Sequence, residues 1–379
     1  MVSVVSASFT KFGKREDDLL SIASASADPL IQKYRDDIDF FIVSNSYSGE
    51  YNGISGLNNL LTTRFSIDGV PSIRVDNTSG SGGSAVLVAK SLIESGAAEN
   101  ILITGAEKMT GGNGKNSTSI IASLLHKEER RSGISLPSLG GLLTQIYMNE
   151  FDARRESIAM VAVKNHLNGS RNPYAQFQKP ITLEEVMDSR IIADPLRIFE
   201  FCPVSDGSVS LLLTSDENAA SFSSKIAKIL GSASASSTSS LSGRESLTTI
   251  NAVKNASYKA FRIAELKPSQ MDFAELHDMS TILEIVESED AGFFKKGEGW
   301  KALVEHKTDL DGELPINTSG GLNSKGHPIG ASGVAQTGEA FLQLTGQAGQ
   351  RQVKNANYGF SMSMSGFGNS STAFVYGVN

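Results

Sequence analysis

Apolar and polar positions along this chain follow two alternating rhythms. One is a short, almost unbroken apolar run. The other is a longer stretch with apolar residues three and four apart. The runs Val2–Phe9, Ile38–Val43, Ile73–Asp76 and Ile101–Gly105 predict strands, and Ile38–Val43 reads as one buried on both faces. Between them, Asp17–Tyr34, Ile54–Phe65 and Gly80–Ser95 carry helical spacing, the last so rich in Ala, Val and Leu that burial all round is expected. The pattern loosens from Glu107 to Pro195, which predicts an insertion packed over the first half. Strand Ser208–Thr214 follows, and a boundary falls in Ser215–Ser223. The alternation then repeats. Strands are expected at Lys225–Ile229, Phe273–Leu276, Ile316-Asn317, Ala356–Met364 and Ser371–Tyr376, the last two antiparallel. Helices are expected at Leu247–Ala264, Thr281–Glu289 and Ile329–Leu344. Such alternation predicts an α/β layer fold. An internal echo supports two related halves, because Val75-Asp-Asn-Thr-Ser-Gly80 is matched by Pro315-Ile-Asn-Thr-Ser-Gly320.

Composition narrows the classes. At 379 residues the chain exceeds one ordinary core, so two or three units are expected. A net charge of −7 argues against a nucleic-acid surface. No apolar run reaches the ~18 residues of a membrane span. The start, Met1-Val-Ser-Val-Val, reads directly as a strand, and no targeting signal is read at either end, so a cytoplasmic protein without a membrane partner is expected. The single cysteine, Cys202, allows no disulfide within the chain and argues against a cysteine metal site. Flanked by Phe201 and Pro203, it is expected to be buried and inert.

Four segments carry candidate chemistry. Asn317 to Gly333 holds five glycines in 17 residues around His327, just before a helix start. An imidazole there suits a general base or an oxyanion donor, against the alternative of an inert loop histidine. Ser79, in Asp76-Asn-Thr-Ser-Gly-Ser-Gly-Gly-Ser84, stands either as a nucleophile at a helix N-terminus or as a simple helix cap. In Glu275-Leu-His277-Asp278 the aspartate reads as the cap of the next helix, leaving His277 free for a cleft or paired locally for structure. Ser363 to Gly368 is a small-residue turn around Gly366, either an anion-binding backbone or a plain hairpin.

Taken together these segments resemble the thiolases, in particular the archaeal and sterol-carrier-protein-2 types. Thr10-Lys-Phe-Gly13, Thr104-Gly-Ala-Glu-Lys-Met109, Lys164-Asn-His166, Asn172-Pro173, Ala175-Gln-Phe177, Asp194-Pro-Leu196, Cys202-Pro-Val-Ser-Asp-Gly207, His277-Asp278 and Gly326-His-Pro328 carry the resemblance over nearly the whole length. It implies two similar βαβαβαββ halves, residues 1–215 and 216–379, in a five-layered αβαβα core with a loop domain at about 107–195. It also implies acyl transfer from a coenzyme A thioester as substrate, no permanently bound cofactor and no metal. Assembly as a homodimer or homotetramer through the third strands is implied too, as is a complex with another CoA enzyme.

The resemblance further implies roles for Ser79 at the nucleophile position, for His277 and His327 at the oxyanion hole and in activation, and for Gly366 in the last turn. The family's catalytic cysteines are absent. Ser79 stands for the nucleophile, and Met279 and Met364 stand where the second cysteine is expected. A hydroxyl is far less acidic than a thiol, so Ser79 needs His327 as a true base. Three readings follow: an acyl-CoA acyltransferase on unusual terms, a non-catalytic acyl-CoA-binding or scaffold protein, and a serine-type thioester hydrolase.

Overall fold

The computed structural model describes residues 1–111 and 114–378. Its strands are β1 Val2–Phe9, β2 Phe40–Ser44, β3 Ser72–Val75, β4 Asn100–Glu107, β5 Gly207–Ser215, β6 Ala227–Ser236, β7 Phe273–Glu275, β8 Tyr358–Ser365 and β9 Ser370–Gly377. Its main helices are α1 Leu19–Tyr34, α2 Leu57–Phe65, α3 Ser81–Glu94, α4 Leu136–Phe151, α5 Arg155–Ser170, α6 Asn251–Ala264, α7 Thr281–Asp290 and α8 Ile329–Leu344. The strands lie in the order β3-β2-β4-β5-β1-β6-β9-β8-β7, and Ile316 adds a parallel bridge beside Ala274 of β7. Read outward from the β1–β6 seam, the two sides are the same. Each has two antiparallel neighbours, then two parallel ones, and ends on the third strand of its half. In the second half that third strand shrinks to the bridge at Ile316. The seam itself is short, pairing Val2, Ser3 and Val4 with Ile229, Lys228 and Ala227.

Side-chain alternation explains why the strands read as continuous apolar runs. In the first half Ile42, Ile101, Ile103, Leu211 and Leu213 point to one core, while Phe41, Val43, Leu102 and Leu212 point to another beneath α1 and α2. In the second half Phe374 and Tyr376 join the first of these cores, and Ala373 and Val375 join a third beneath α6 and α7. The shared middle core holds α3 and α8, through Ala85, Val86, Ala331 and Val334. Helix, sheet, helix pair, sheet and helix thus make five layers.

The middle layer is unusually tight. A Cβ on Gly82 of α3 would lie 2.4 Å from the Val334 nitrogen and 2.6 Å from the Gly333 Cα. One on Gly333 of α8 would lie 2.4 Å from the Gly83 nitrogen. The two helices therefore touch backbone to backbone, and only glycine permits it.

The stretch 107–195 differs from its expectation. Beyond Gly114 it is largely helical. Ser135 caps α4 by accepting from the Ser138 N–H, with Pro137 in the first turn. The stretch touches the first half, as where Tyr174 stacks on Phe9, but most of its apolar core packs on the second. Leu136, Leu139, Leu143, Tyr147, Ile158 and Val161 share a core with Ile282, Ile285 and Val286 of α7. The Gln176 and Phe177 N–H groups donate to the carbonyls of Lys325 and Ser324 at 2.9 and 3.1 Å, docking the insertion beside His327.

Gly333→Ala should therefore cost about 3 kcal/mol, the upper end for overpacking, because backbone on the facing helix cannot yield. Gly49→Ala, where a Cβ meets nothing within 4 Å, should be neutral or stabilising by up to about 1 kcal/mol. Denaturant unfolding of the two variants checks the contrast in sign.

Candidate functional site

The glycine crossing sits near the first turn of both central helices, so α3 and α8 bring their N-termini to one place. Ser79 stands just before α3 and His327 just before α8. Both line a narrow cavity of about 60 Å³, with Met109, Leu136, Met279 and Ile329 among its apolar walls. Two helix N-termini pointing at one cavity favour negative charge there. Ser79 is buried but does not cap its helix. Gly80 holds that position and no side chain bonds there. Thr78, immediately before, is held at φ +47°, a conformation costly for a threonine. Its hydrogen bonds hold it there: its N–H donates to Asp76 Oδ1 at 3.0 Å, its carbonyl accepts from the hydroxyls of Ser46 at 2.9 Å and Ser81 at 2.6 Å and from the Ser81 N–H at 3.0 Å, and its own hydroxyl meets Ser365 Oγ at 2.6 Å. The last contact draws the turn containing Gly366, at φ +57°, beside the Thr78-Ser79 segment.

His327 is fixed at both ends. Its backbone N–H donates to Ser205 Oγ at 2.9 Å, and Nδ1 lies 2.7 Å from Ser332 Oγ. Nε2 is buried and has no hydrogen-bond partner among the described residues. Burial, with a smaller push from the Lys325 charge, lowers its pKa to about 3, so the ring is neutral. His277 packs edge-on against it, with ring centroids 5.2 Å apart. Both its nitrogens lack partners, and burial, then the neighbouring His327, pushes its pKa well below the usual histidine range. His277 is enclosed behind His327 and is not part of the cavity wall, although the sequence left it free for a cleft.

Asp278 does not cap α7. Its carboxyl accepts from the backbone N–H groups of Leu322 at 2.6 Å and Asn323 at 3.3 Å, and from Asn165 Nδ2 at 2.8 Å. It thus pins the turn leading to His327. Burial and the nearby Glu284 push its pKa well up.

Met279 lines the cavity, and Met364 is fully buried. Cys202 is half-buried rather than enclosed, and it lies in the same cavity wall as Ser79. Burial, with Asp278 nearby, pushes its thiol well up, which keeps it protonated.

Two contributors escaped the sequence reading. Ser332 orients His327 from five residues downstream, and only a helix starting at Ile329 turns it back toward the ring. Glu107 accepts from the N–H groups of Ser46, Tyr47 and Gly330 at 3.0, 3.1 and 2.9 Å, tying the start of α8 to the end of β4. Burial raises its pKa to about 7 even so. Among the described residues, no group of histidine, cysteine and acidic side chains has the arrangement of a metal site.

Comparison with known proteins agrees with this geometry. Residues 2–217 match the family model of the thiolase N-terminal domain, and residues 233–378 match that of the thiolase C-terminal domain-like family. The acetyl-CoA acetyltransferase of Methanothermobacter thermautotrophicus is 36% identical over 380 residues, covering 99% of both chains. Sterol carrier protein 2 of Oryctolagus cuniculus is 32% identical over 323 residues, covering 82% of this chain and 59% of its own. Among solved structures, the Ltp2-ChsH2(DUF35) aldolase superposes with a TM-score of 0.87 at 24% identity, covering 100% of this chain and 97% of that one, a likeness of fold. The layers, the glycine crossing, the paired histidines and both family models lead to one conclusion: this chain belongs to the thiolase family.

Proposed function

We propose that the protein is a thiolase-type acyltransferase acting on coenzyme A thioesters, with Ser79 receiving the acyl group. One observation carries this reading: Ser79 and the unspent Nε2 of a neutral His327 share one small cavity at two convergent helix N-termini.

The tautomer of His327 follows from its partners. Ser332 Oγ lies 3.0 Å from the Pro328 carbonyl, which can only accept, so the single hydroxyl proton goes there. The hydroxyl then accepts from Nδ1–H of His327, leaving a lone pair on Nε2. In the proposed step Nε2 takes the Ser79 proton and Ser79 Oγ bonds to the thioester carbonyl carbon. The C–S bond breaks, and the departing CoA sulfur recovers the proton from the imidazolium. The helix N-termini and the N–H of Gly366, which has no backbone partner, favour the charge on the carbonyl oxygen. His277 adds an unspent neutral imidazole behind His327. No resident cofactor has a role in this step.

Transfer of the acyl group to carbon also needs a proton carrier at the second substrate, where this chain has Met279. That deficit favours a second reading, in which the cavity binds acyl-CoA and the chain supports a partner CoA enzyme. We further propose a homo-oligomer built on β3, an edge strand whose Ile73 is 37% exposed, and a cytoplasmic place that suits water-soluble CoA substrates.

With acetoacetyl-CoA and CoA, Ser79→Ala and His327→Ala should each lower turnover by about 10² or more while CoA binding persists; an unchanged rate in either rejects the acyltransferase reading. Met279→Cys should raise thiolysis at least about tenfold if the missing proton carrier is what limits it. ¹⁵N NMR should show His327 Nε2 unprotonated from about pH 5 to 8, because a depressed pKa leaves no titration there, and Ser332→Ala should mix its tautomers. Ile73→Glu should shift the sedimentation coefficient to that of the monomer.

A further inference from the structure

Breaking a bond between two carbons needs a proton at carbon as well as one at the serine oxygen. Among the described side chains lining the cavity of about 60 Å³, only Ser79, His327 and Cys202 have a proton to give or take. Met279, on the same wall, ends in a thioether and has none. In the acyl transfer proposed above, Ser79 carries the acyl group and His327 holds the proton that the serine gave up. Cys202 is left.

The backbone fixes where its thiol stands. Phe201 pairs antiparallel with Ser280, and the Cys202 N–H donates to the Met279 carbonyl at 2.9 Å. This register sets Cys202 directly across from Met279 and on the same face, a pairing that brings Cβ atoms to roughly 5 Å. Two residues on, Val204 pairs with His327, whose N–H also donates to Ser205 Oγ at 2.9 Å. The segment from Phe201 to Ser205 is therefore stitched at one end to the start of α7 and at the other to the histidine, with Cys202 between. A second observation marks this wall as one that meets a ligand. His327, only 5% exposed, turns into the same cavity an Nε2 with no hydrogen-bond partner among the described residues.

Burial, with Asp278 nearby, keeps the thiol protonated. That makes a poor nucleophile but a ready donor to a carbanion, which is far more basic than a thiolate. The two helix N-termini favour the thiolate that is left behind.

We propose that Cys202 is the catalytic proton carrier at carbon in thiolysis of a 3-ketoacyl-CoA, an assignment that rests on the acyltransferase reading above. Ser79 Oγ loses its proton to His327 Nε2 and bonds to the C3 keto carbon. The C2–C3 bond breaks, its electron pair stays on C2, and C2 takes the proton from Cys202 Sγ. Acetyl-CoA leaves, with the rest of the acyl group on Ser79. The Cys202 thiolate then takes the proton of an incoming CoA thiol, whose sulfur bonds to the acyl carbon, and Ser79 recovers its proton from the imidazolium. The gain expected of Met279→Cys where a carrier is missing then belongs to the Cys202→Ala protein.

Two rates measured on the full chain separate this role from a structural one. Thiolysis of acetoacetyl-CoA needs a proton at carbon. Exchange of labelled CoA into acetyl-CoA breaks only a C–S bond and needs none. Cys202→Ala and the near-isosteric Cys202→Ser should each lower the ratio of thiolysis to exchange by about 10² or more, and adding Met279→Cys to Cys202→Ala should raise it again by about tenfold. A ratio unchanged in both variants overturns the assignment and leaves His327 to serve oxygen and carbon alike. Equal loss of both rates without rescue by Met279→Cys points to a structural role and overturns it too. Native protein that exchanges CoA but cleaves no acetoacetyl-CoA overturns the assignment while leaving acyl transfer to Ser79 intact. Native protein that does neither overturns the acyltransferase reading, and the assignment with it.

Discussion

The backbone contact between α3 and α8 is the constraint on which the rest of the structure depends. Gly82 and Gly333 let two buried helices cross with no side chain between them. The sheets can then close over the pair from both sides, and the two helix starts arrive at one cavity. Ser79 and His327 lie far apart in sequence, yet each stands only a few residues from the crossing. Fold stability and site geometry are therefore one problem here. Any change that separates the helices also separates Ser79 from His327.

The cavity is built to hold neutral groups that become charged only in reaction. Burial keeps both histidines uncharged, and among the described residues the His327 ring hydrogen-bonds a serine hydroxyl rather than a carboxylate. Two buried acids, Asp278 and Glu107, spend their oxygens on backbone N–H groups and asparagine amides and position loops rather than the ring. The two helix N-termini supply partial positive charge without adding a proton to lose. That arrangement suits a serine hydroxyl, which needs a base and a place for developing negative charge. A protonated Cys202 on the same wall offers little competition as a nucleophile, since burial favours its thiol form.

Much of the fold was legible because most strands are buried on both faces and α8 almost all round, so apolar runs and small-residue stretches marked them; α3 is buried at its start but exposes Ser91 and Glu94 near its end, short of the burial expected. The repeated Asn-Thr-Ser-Gly marked a real correspondence, for both copies follow the third strand of their half. Residues 107–195 were less legible. Their two main helices, α4 and α5, bury apolar faces against second-half residues such as Ile282 and Val286, which no local pattern announces. In the site, Ser79 and His327 were singled out through motif and position, and the structure brings both to one cavity. The enclosure of His277, the exposure of Cys202 to the cavity and the role of Ser332 depend on side-chain direction. That direction is set only when α8 and the Phe201–Pro203 segment meet across the cavity.

The most direct test of the central claim, that Ser79 is a working nucleophile at this crossing, is intact-mass measurement with peptide mapping after incubation with acetyl-CoA and acetoacetyl-CoA. The account predicts a single acetyl adduct on the peptide containing Ser79, absent in His327→Ala. An unmodified protein that still binds CoA, or an adduct confined to Cys202, would contradict it.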